Sequence, residues 1–255
     1  MPRILAIAGS DSSGGAGIQA DIKTITLMGG FAMTAITAIT EQNTLGVQAV
    51  ELLRPEMVVE QARSCIADIG IDAVKIGMLG SAAIAAAVAD LLQELEVPVV
   101  FDPVMVATSG ALLADQETIA AFERLMQLAT VTTPNVAELE ALGGAAAMAA
   151  RGVAFLAKGG DGADALVTDT LHRPGRTPQS WQAPRIATRH DHGTGCTLSS
   201  AIATALGAGH DLGTAVAHGR AFVRAALAQA PGLGSGRGPL GHAGAVGIRP
   251  WTEEA

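Results

Sequence analysis

The 255-residue chain is 49% hydrophobic and only 16% charged, enough apolar material for a large buried core. A formal net charge of -8, without any run of Lys or Arg long enough to make a basic stripe, argues against nucleic acid or an anionic membrane as partner. The N-terminal apolar run is too short for a signal-peptide core, no stretch reaches the ~20 apolar residues of a membrane span, and Cys65 and Cys196 alone make no disulfide framework. The expectation is one cytoplasmic domain, 1–255, that handles a small diffusible molecule.

Along the chain, the apolar run ILAIA at 4–8 reads as a buried strand and Gly17–Leu27 as the helix that follows it. Gly46–Leu52 alternates apolar and polar residues, the pattern of a half-exposed strand outside the main sheet, suited to a small lid or a subunit contact. Pro55–Asp68 and 81–95 carry apolar residues at helical spacing, with the strand AVKIG at 73–77 between them. VPVVF at 97–101, a helix over Gln116–Leu128 and VAFLA at 153–157 continue the alternation, while the Ala-rich AAIAAAVAD and GGAAAMAA read as crossover helix. Strand-helix alternation of this kind predicts a doubly wound α/β layer with a mostly parallel sheet. The glycines and prolines of 231–255 predict a tail with no helix or central strand.

Three segments carry chemistry. HGTGCTLSSAIATAL at 192–206 is a Gly-Thr-Gly turn running directly into an apolar-periodic helix, which is either a Gly-rich helix N-cap or a phosphate cradle where backbone N–H groups and the helix dipole converge on an anion. AGSDSSGGAGIQAD at 8–21 follows a strand and opens a helix. It has P-loop glycine spacing without the Lys and Ser/Thr of a Walker A, which suits close backbone approach to a flat ligand, with Asp11 and Asp21 as acceptors. TPNVAELE at 133–140 puts Asn135 and Glu138 on one face of a helix start, where Glu138 is either an exposed first-turn charge or a carboxylate for Mg²⁺. Lys158, before Gly159-Gly160, is either a solvated strand-end lysine or a neutraliser of phosphate charge. His190-Asp191-His192 lacks a further His or Cys pair and reads as a loop entering the anion hole rather than a metal site.

AGSDSSGGAGIQAD, TEQNTLGVQAV, KIGML, FDPVMVATSG, TPNVAELE, KGG and HGTGCTLSSAIA occur in the order seen in the hydroxymethylpyrimidine and phosphomethylpyrimidine kinases of thiamine biosynthesis. Over about residues 1–210 the chain resembles that family, and GSGRGPLGH looks like its closing motif. The resemblance implies a ribokinase-like fold, a homodimer, Mg²⁺, and ATP as co-substrate. The acceptors would be the pyrimidine hydroxymethyl group and then its monophosphate. It also implies that Gly9, Ala16, Asp21, Gln42, Met78 and Val104 line the pyrimidine pocket, that Asn135, Lys158 and Gly159 serve the nucleotide, and that Glu138 serves the metal. Gly193, Thr194, Gly195 and Cys196 would form the catalytic turn, with Cys196 where most of the superfamily has an Asp base. A thiol at a helix N-terminus is expected to be largely thiolate. Glu41, Thr108 and Asp191 depart from the family pattern, and the 140–151 stretch is shorter than usual. The close alternative is a pyridoxine, pyridoxal or pyridoxamine kinase, and a more distant one is a non-catalytic nucleotide or vitamin sensor.

Overall fold

The protein is described here from a computed structural model, covering residues 1–106, 113–160, 162 and 164–247; Thr108 and the end of the 231–255 tail lie outside the described residues. In chain order the elements are β1 (Arg3–Asp11), α1 (Gly17–Leu27), β2 (Phe31–Asn43), β3 (Gly46–Leu52), α2 (Pro55–Asp68), β4 (Ala73–Ile76), α3 (Ala82–Leu92), β5 (Val99–Phe101) and α4 (Gln116–Leu128). They continue with β6 (Val131–Thr132), α5 (Val136–Ala141), α6 (Gly144–Ala150), β7 (Phe155–Ala157), β8 (Leu166–His172), β9 (Gln179–Pro184), α7 (Thr194–Gly207), α8 (Leu212–Ala228) and α9 (His242–Ala245).

The nine strands form one sheet ordered β3-β2-β1-β4-β5-β6-β7-β8-β9. From β2 to β7 all neighbours are parallel, while β3 at one edge and β8 and β9 at the other pair antiparallel. This is the doubly wound, ribokinase-like arrangement expected. The predicted half-exposed strand is the edge strand β3, whose residues from Gln48 to Leu52 are exposed.

Alternation along the central strands decides the two layers. Leu5 and Ile7 of β1, Val74 and Ile76 of β4 and Phe101 of β5 face α2, α3 and α4, where Val58, Ile84, Val88, Phe122 and Leu125 close a core. Ile4 and Ala6 of β1, Ala73 of β4 and Val100 of β5 face the other way, against Ile25 of α1, Ile202 and Leu206 of α7 and Val216 of α8. Phe101 meets Phe122 edge-on at 5.1 Å between centroids, which anchors α4 under β5. The short 140–151 stretch holds parts of two brief helices, α5 and α6, with Gly143 in the left-handed region at φ 92° between them.

The tail is more ordered than its composition predicts. Gly236 N donates to Thr44 Oγ1 at 3.2 Å and Arg237 N to Thr44 O at 3.0 Å, so the tail clasps the β2–β3 turn. Gly241 N then donates to Ala226 O and leads into α9. Glycine is what permits this path: a Cβ at Gly236 would collide with the Thr44 carbonyl.

Candidate active site

The carboxyl ends of the parallel strands open into one cavity of about 670 Å³, the place where doubly wound sheets bind ligands. It is lined by Gly9, Ala16, Gln42, Met78 and Val104 on one side, and by Asp102, Asn135, Glu138 and Lys158 on the other. The turn Gly193-Thr194-Gly195-Cys196 lies along it. Predicted residues from seven separate segments thus share a single hollow.

The turn owes its shape to Gly193, the N-cap of α7, at φ 92°. A Cβ there would strike the Gly15 carbonyl, so the cradle loop and the loop before α1 touch backbone to backbone. At Gly195 a Cβ would lie 3.3 Å from Asp102 Oδ2 and 3.4 Å from Lys158 Nζ, which puts the helix N-terminus directly beside a carboxylate and an ammonium. Gly9 stays a glycine because Met78 Cε packs over it.

Asp102 was not singled out by sequence reasoning, although it stands in the quoted FDPVMVATSG segment immediately after β5, where strand ends carry ligands. It is 1% exposed and accepts from Thr133 Oγ1 and Lys158 Nζ, both at 2.8 Å. Glu138 is not the exposed first-turn charge of the simpler sequence reading. It is 6% exposed, its carboxylate accepts from Asn135 N, and Asn135 Oδ1 accepts from Glu138 N, closing a capping box. Burial pushes Glu138 up to about 7, while Lys158, at 3.9 Å, pulls the other way. A buried carboxyl held so high is one that a cation would help to ionise. Oxygen donors from Asp102 and Glu138 suit Mg²⁺, which would keep several waters and phosphate ligands of its own. Among the described residues no three His, Cys, Asp or Glu form a cage for it.

Three expectations need correction. Asp21 does not reach the cavity: it is fully buried, accepting from Lys75 Nζ at 2.8 and 2.9 Å and from Ser200 Oγ at 2.7 Å. The physical reason is its position one helical turn after Gly17 on the inward face of α1, under the loop rather than on it. Cys196 is not a thiolate. Burial pushes its thiol up to about 11, and this outweighs both the helix terminus and the attraction of Lys75. Gly159 is also set back: its N–H donates to Asp169 Oδ1 at 2.9 Å, and it is Gly160 that lines the cavity.

Asp11 and His192 complete the pocket wall. Asp11 accepts from Ser13, Gly15 and Ala16 backbone N–H groups and from His192 Nε2 at 2.8 Å. Burial opposes its charge, but His192, Ser13 and Ala16 hold Asp11 down to about 2. An ionised Asp11 makes His192 Nε2 the donor, and the same nitrogen lies 3.2 Å from the Gln42 amide. Asp191 pairs with Arg237 of the tail, a cavity residue as well. At the far end, Arg220 donates to Asp169 Oδ2 at 2.6 Å beside the aliphatic Val223 and Leu227, a wall sequence reasoning did not identify.

Comparison with known proteins follows the same lines. Residues 11–241 match the family described as phosphomethylpyrimidine kinase. A hydroxymethylpyrimidine/phosphomethylpyrimidine kinase of Rhizobium meliloti (strain 1021) is 46% identical over 255 residues, covering 93% of this chain and 96% of its own length. An ADP complex of Bacillus subtilis pyridoxal kinase superposes with a TM-score of 0.87 at 32% identity, covering 96% of this chain and 98% of that one. A phosphomethylpyrimidine kinase from Clostridium difficile 630 gives 0.74 at 35% identity, covering 88% and 98%. With a family match running from the first loop to the clasping tail, the chain belongs to the phosphomethylpyrimidine kinase family.

Proposed function

We propose that this chain transfers the γ-phosphoryl group of Mg·ATP to the hydroxymethyl group of 4-amino-5-hydroxymethyl-2-methylpyrimidine and then to the resulting monophosphate. The observation that carries the reading is one cavity joining a pocket for a flat heterocycle to an N-terminal helix cradle and an ammonium–carboxylate group. Gln42 offers donor and acceptor to the aminopyrimidine edge, and Met78 and Val104 offer apolar contact to the ring.

In the transfer, the acceptor oxygen forms a bond to the γ-phosphorus as the bond to ADP breaks, and the hydroxyl proton leaves. A loose transition state spreads charge over the phosphoryl oxygens, so N–H groups of Gly193–Cys196 and the Lys158 ammonium carry most of the catalysis by position and charge. The thiol of Cys196 is protonated at neutral pH, so only its small thiolate fraction can accept that proton; its contribution as base is minor, and the proton otherwise leaves to solvent or a phosphoryl oxygen. Asp102 and Glu138 would hold Mg²⁺ through water, and the metal would supply charge neutralisation on the phosphates. Asn135 and the wall of Val223 and Leu227 fit the nucleotide.

Apolar Val50 and Leu52 on the exposed edge strand β3, together with Ile39 of β2, support assembly as a homodimer. Two free cysteines support a reducing cytoplasmic setting; among the described residues no helix is long and apolar enough to cross a membrane. The second reading, a pyridoxal kinase, draws on the 0.87 TM-score; the higher identity to pyrimidine kinases favours the first. Purified protein with Mg·ATP, offered the pyrimidine, its monophosphate and pyridoxal separately, is expected to yield the mono- and diphosphate by mass. Faster turnover of pyridoxal than of either pyrimidine would select the second reading.

A further inference from the structure

We propose that Lys75, Asp21 and Ser200 form a sealed positioning unit that fixes the phosphate-cradle helix α7 against α1, and so acts on phosphoryl transfer without touching either substrate. The proposal rests on the kinase reading above.

Three separate elements supply the unit: Lys75 from β4, Asp21 from α1 and Ser200 from α7. Both charged side chains are fully buried, and Asp21 accepts three hydrogen bonds, two from Lys75 Nζ and one from Ser200 Oγ. Lys75 lies between Val74 and Ile76, which face the α2–α4 layer, so strand alternation turns its stem toward α1 and α7. Its ammonium needs room, and a Cβ on Gly77 would come within 2.7 Å of Nζ.

The register of the two helices is the telling feature. The backbone N–H of Gly17 in α1 lies close enough to the Cys196 sulfur of α7 to favour its charged form. One turn further along each helix, at i+4, Asp21 of α1 meets Ser200 of α7. The same two faces therefore meet at the cradle and are pinned one turn below it, and that pin is anchored to the sheet by Lys75. Stability alone does not account for this choice of residues. A buried ion pair is commonly replaceable by apolar or neutral groups at no loss of stability, whereas its directional hydrogen bonds fix a register that apolar contacts leave loose. A helix N-terminus that must present N–H groups to a moving phosphoryl charge gains from such fixing, since small displacements there are costly in rate.

The test uses the whole protein and two variants. Lys75→Met/Asp21→Asn removes both charges together and is expected to keep a melting temperature near the parent's while kcat falls ~10–100-fold with KM for ATP and pyrimidine little changed. Ser200→Ala keeps the ion pair and cuts only its tie to α7. It is expected to lower kcat ~3–10-fold at unchanged KM, and to speed alkylation of Cys196 by iodoacetamide, mapped by mass. Parent-like kcat in a folded double variant would overturn the proposal, as would unchanged kcat and unchanged alkylation in Ser200→Ala. Should the double variant not fold, the Ser200→Ala result decides. If the parent phosphorylates none of the alcohols offered, the kinase reading fails, while the alkylation arm still tests whether Ser200 holds the cradle.

Discussion

Two groups built from the same chemistry, an ammonium beside carboxylate, lie on either side of the cradle and differ in one respect. Lys75 with Asp21 is sealed, each side chain fully buried. Lys158 with Asp102 and Glu138 opens on the cavity, and the Lys158 side chain keeps 13% of its surface accessible. In the sealed group burial raises the Asp21 carboxyl above its usual range, while, against burial, Asp21 and Asp102 hold the Lys75 ammonium above its own. In the open group burial likewise raises the carboxyl, and Glu138 is left poised near 7 on the cavity wall. The difference teaches that the same pair of charges is a structural fixture when both are closed off from the cavity, and a ligand site when one face is left open to it.

The contrast is broken most sharply at the glycines between the two groups. Gly195→Val drives a side chain against Asp102 and Lys158 and is expected to cut turnover by ~10³-fold or more while the melting temperature stays near the parent's. Gly193→Val, with its positive φ and collision with Gly15, is expected to cost the fold as well, seen as a lowered midpoint in thermal unfolding. Next come the lysines themselves. Lys75→Met alone strands a buried carboxylate and is expected to cost ~3–5 kcal/mol of stability in denaturant titration. Lys158→Met leaves the Asp102 carboxylate beside the cavity rather than sealed and is expected to cost less, ~1–3 kcal/mol of stability, yet to lower kcat ~10²-fold or more. A reversal of that pattern would dissolve the distinction between sealed and open. Cys196 sits between them. Cys196→Ala is expected to lower kcat by no more than ~10²-fold, and the parent's kcat to climb as pH rises toward the thiol's range, a climb absent from Cys196→Ala.

The smallest expected effect concerns His242, buried on α9 with Nε2 2.9 Å from Thr197 Oγ1 of α7. Burial pushes His242 down to about 4 from 6.5, so the unfolded chain binds the extra proton first. Its stabilising contribution is complete above pH 6.5 and is lost as pH falls from 6.5 toward 4, amounting to ~1–2 kcal/mol at pH 5. His242→Gln is expected to flatten that part of the stability profile in denaturant titrations at pH 7 and pH 5.

Much of this architecture was legible because it follows from periodicity. The helices Gly17–Leu27, Pro55–Asp68 and Gln116–Leu128 and the strand Gly46–Leu52 stand where their apolar spacing placed them. The strands β8 and β9 carry mixed residues, such as half-exposed Thr168, buried Asp169 and exposed Gln182, which give no apolar run to read. The turn before α7 was legible as a helix N-terminus, and the ordered motifs around it favoured a phosphate cradle over a plain cap, whereas Asp21, Cys196 and Glu138 were misjudged in environment. A carboxylate's neighbours across the sheet, such as Lys75 54 residues away, leave no local trace, and burial rather than helix position sets the thiol and the carboxyl. Asp102 escaped because a lone Asp before Pro looks like a strand-end turn residue until Thr133 and Lys158 are seen to donate to it.

The clasp of the tail on the β2–β3 turn also bears on how the molecule is made. Gly236 reaches Thr44 across 192 positions of sequence. At ordinary synthesis speeds the turn therefore emerges on the order of 10–40 s before the residues that secure it. During that interval Gln42, two residues from Thr44, has neither the clasp nor His192 beside it. A nascent chain can pair its early strands in this time, but the rim of its cavity is finished only once Gly236 and Arg237 have emerged to clasp the turn.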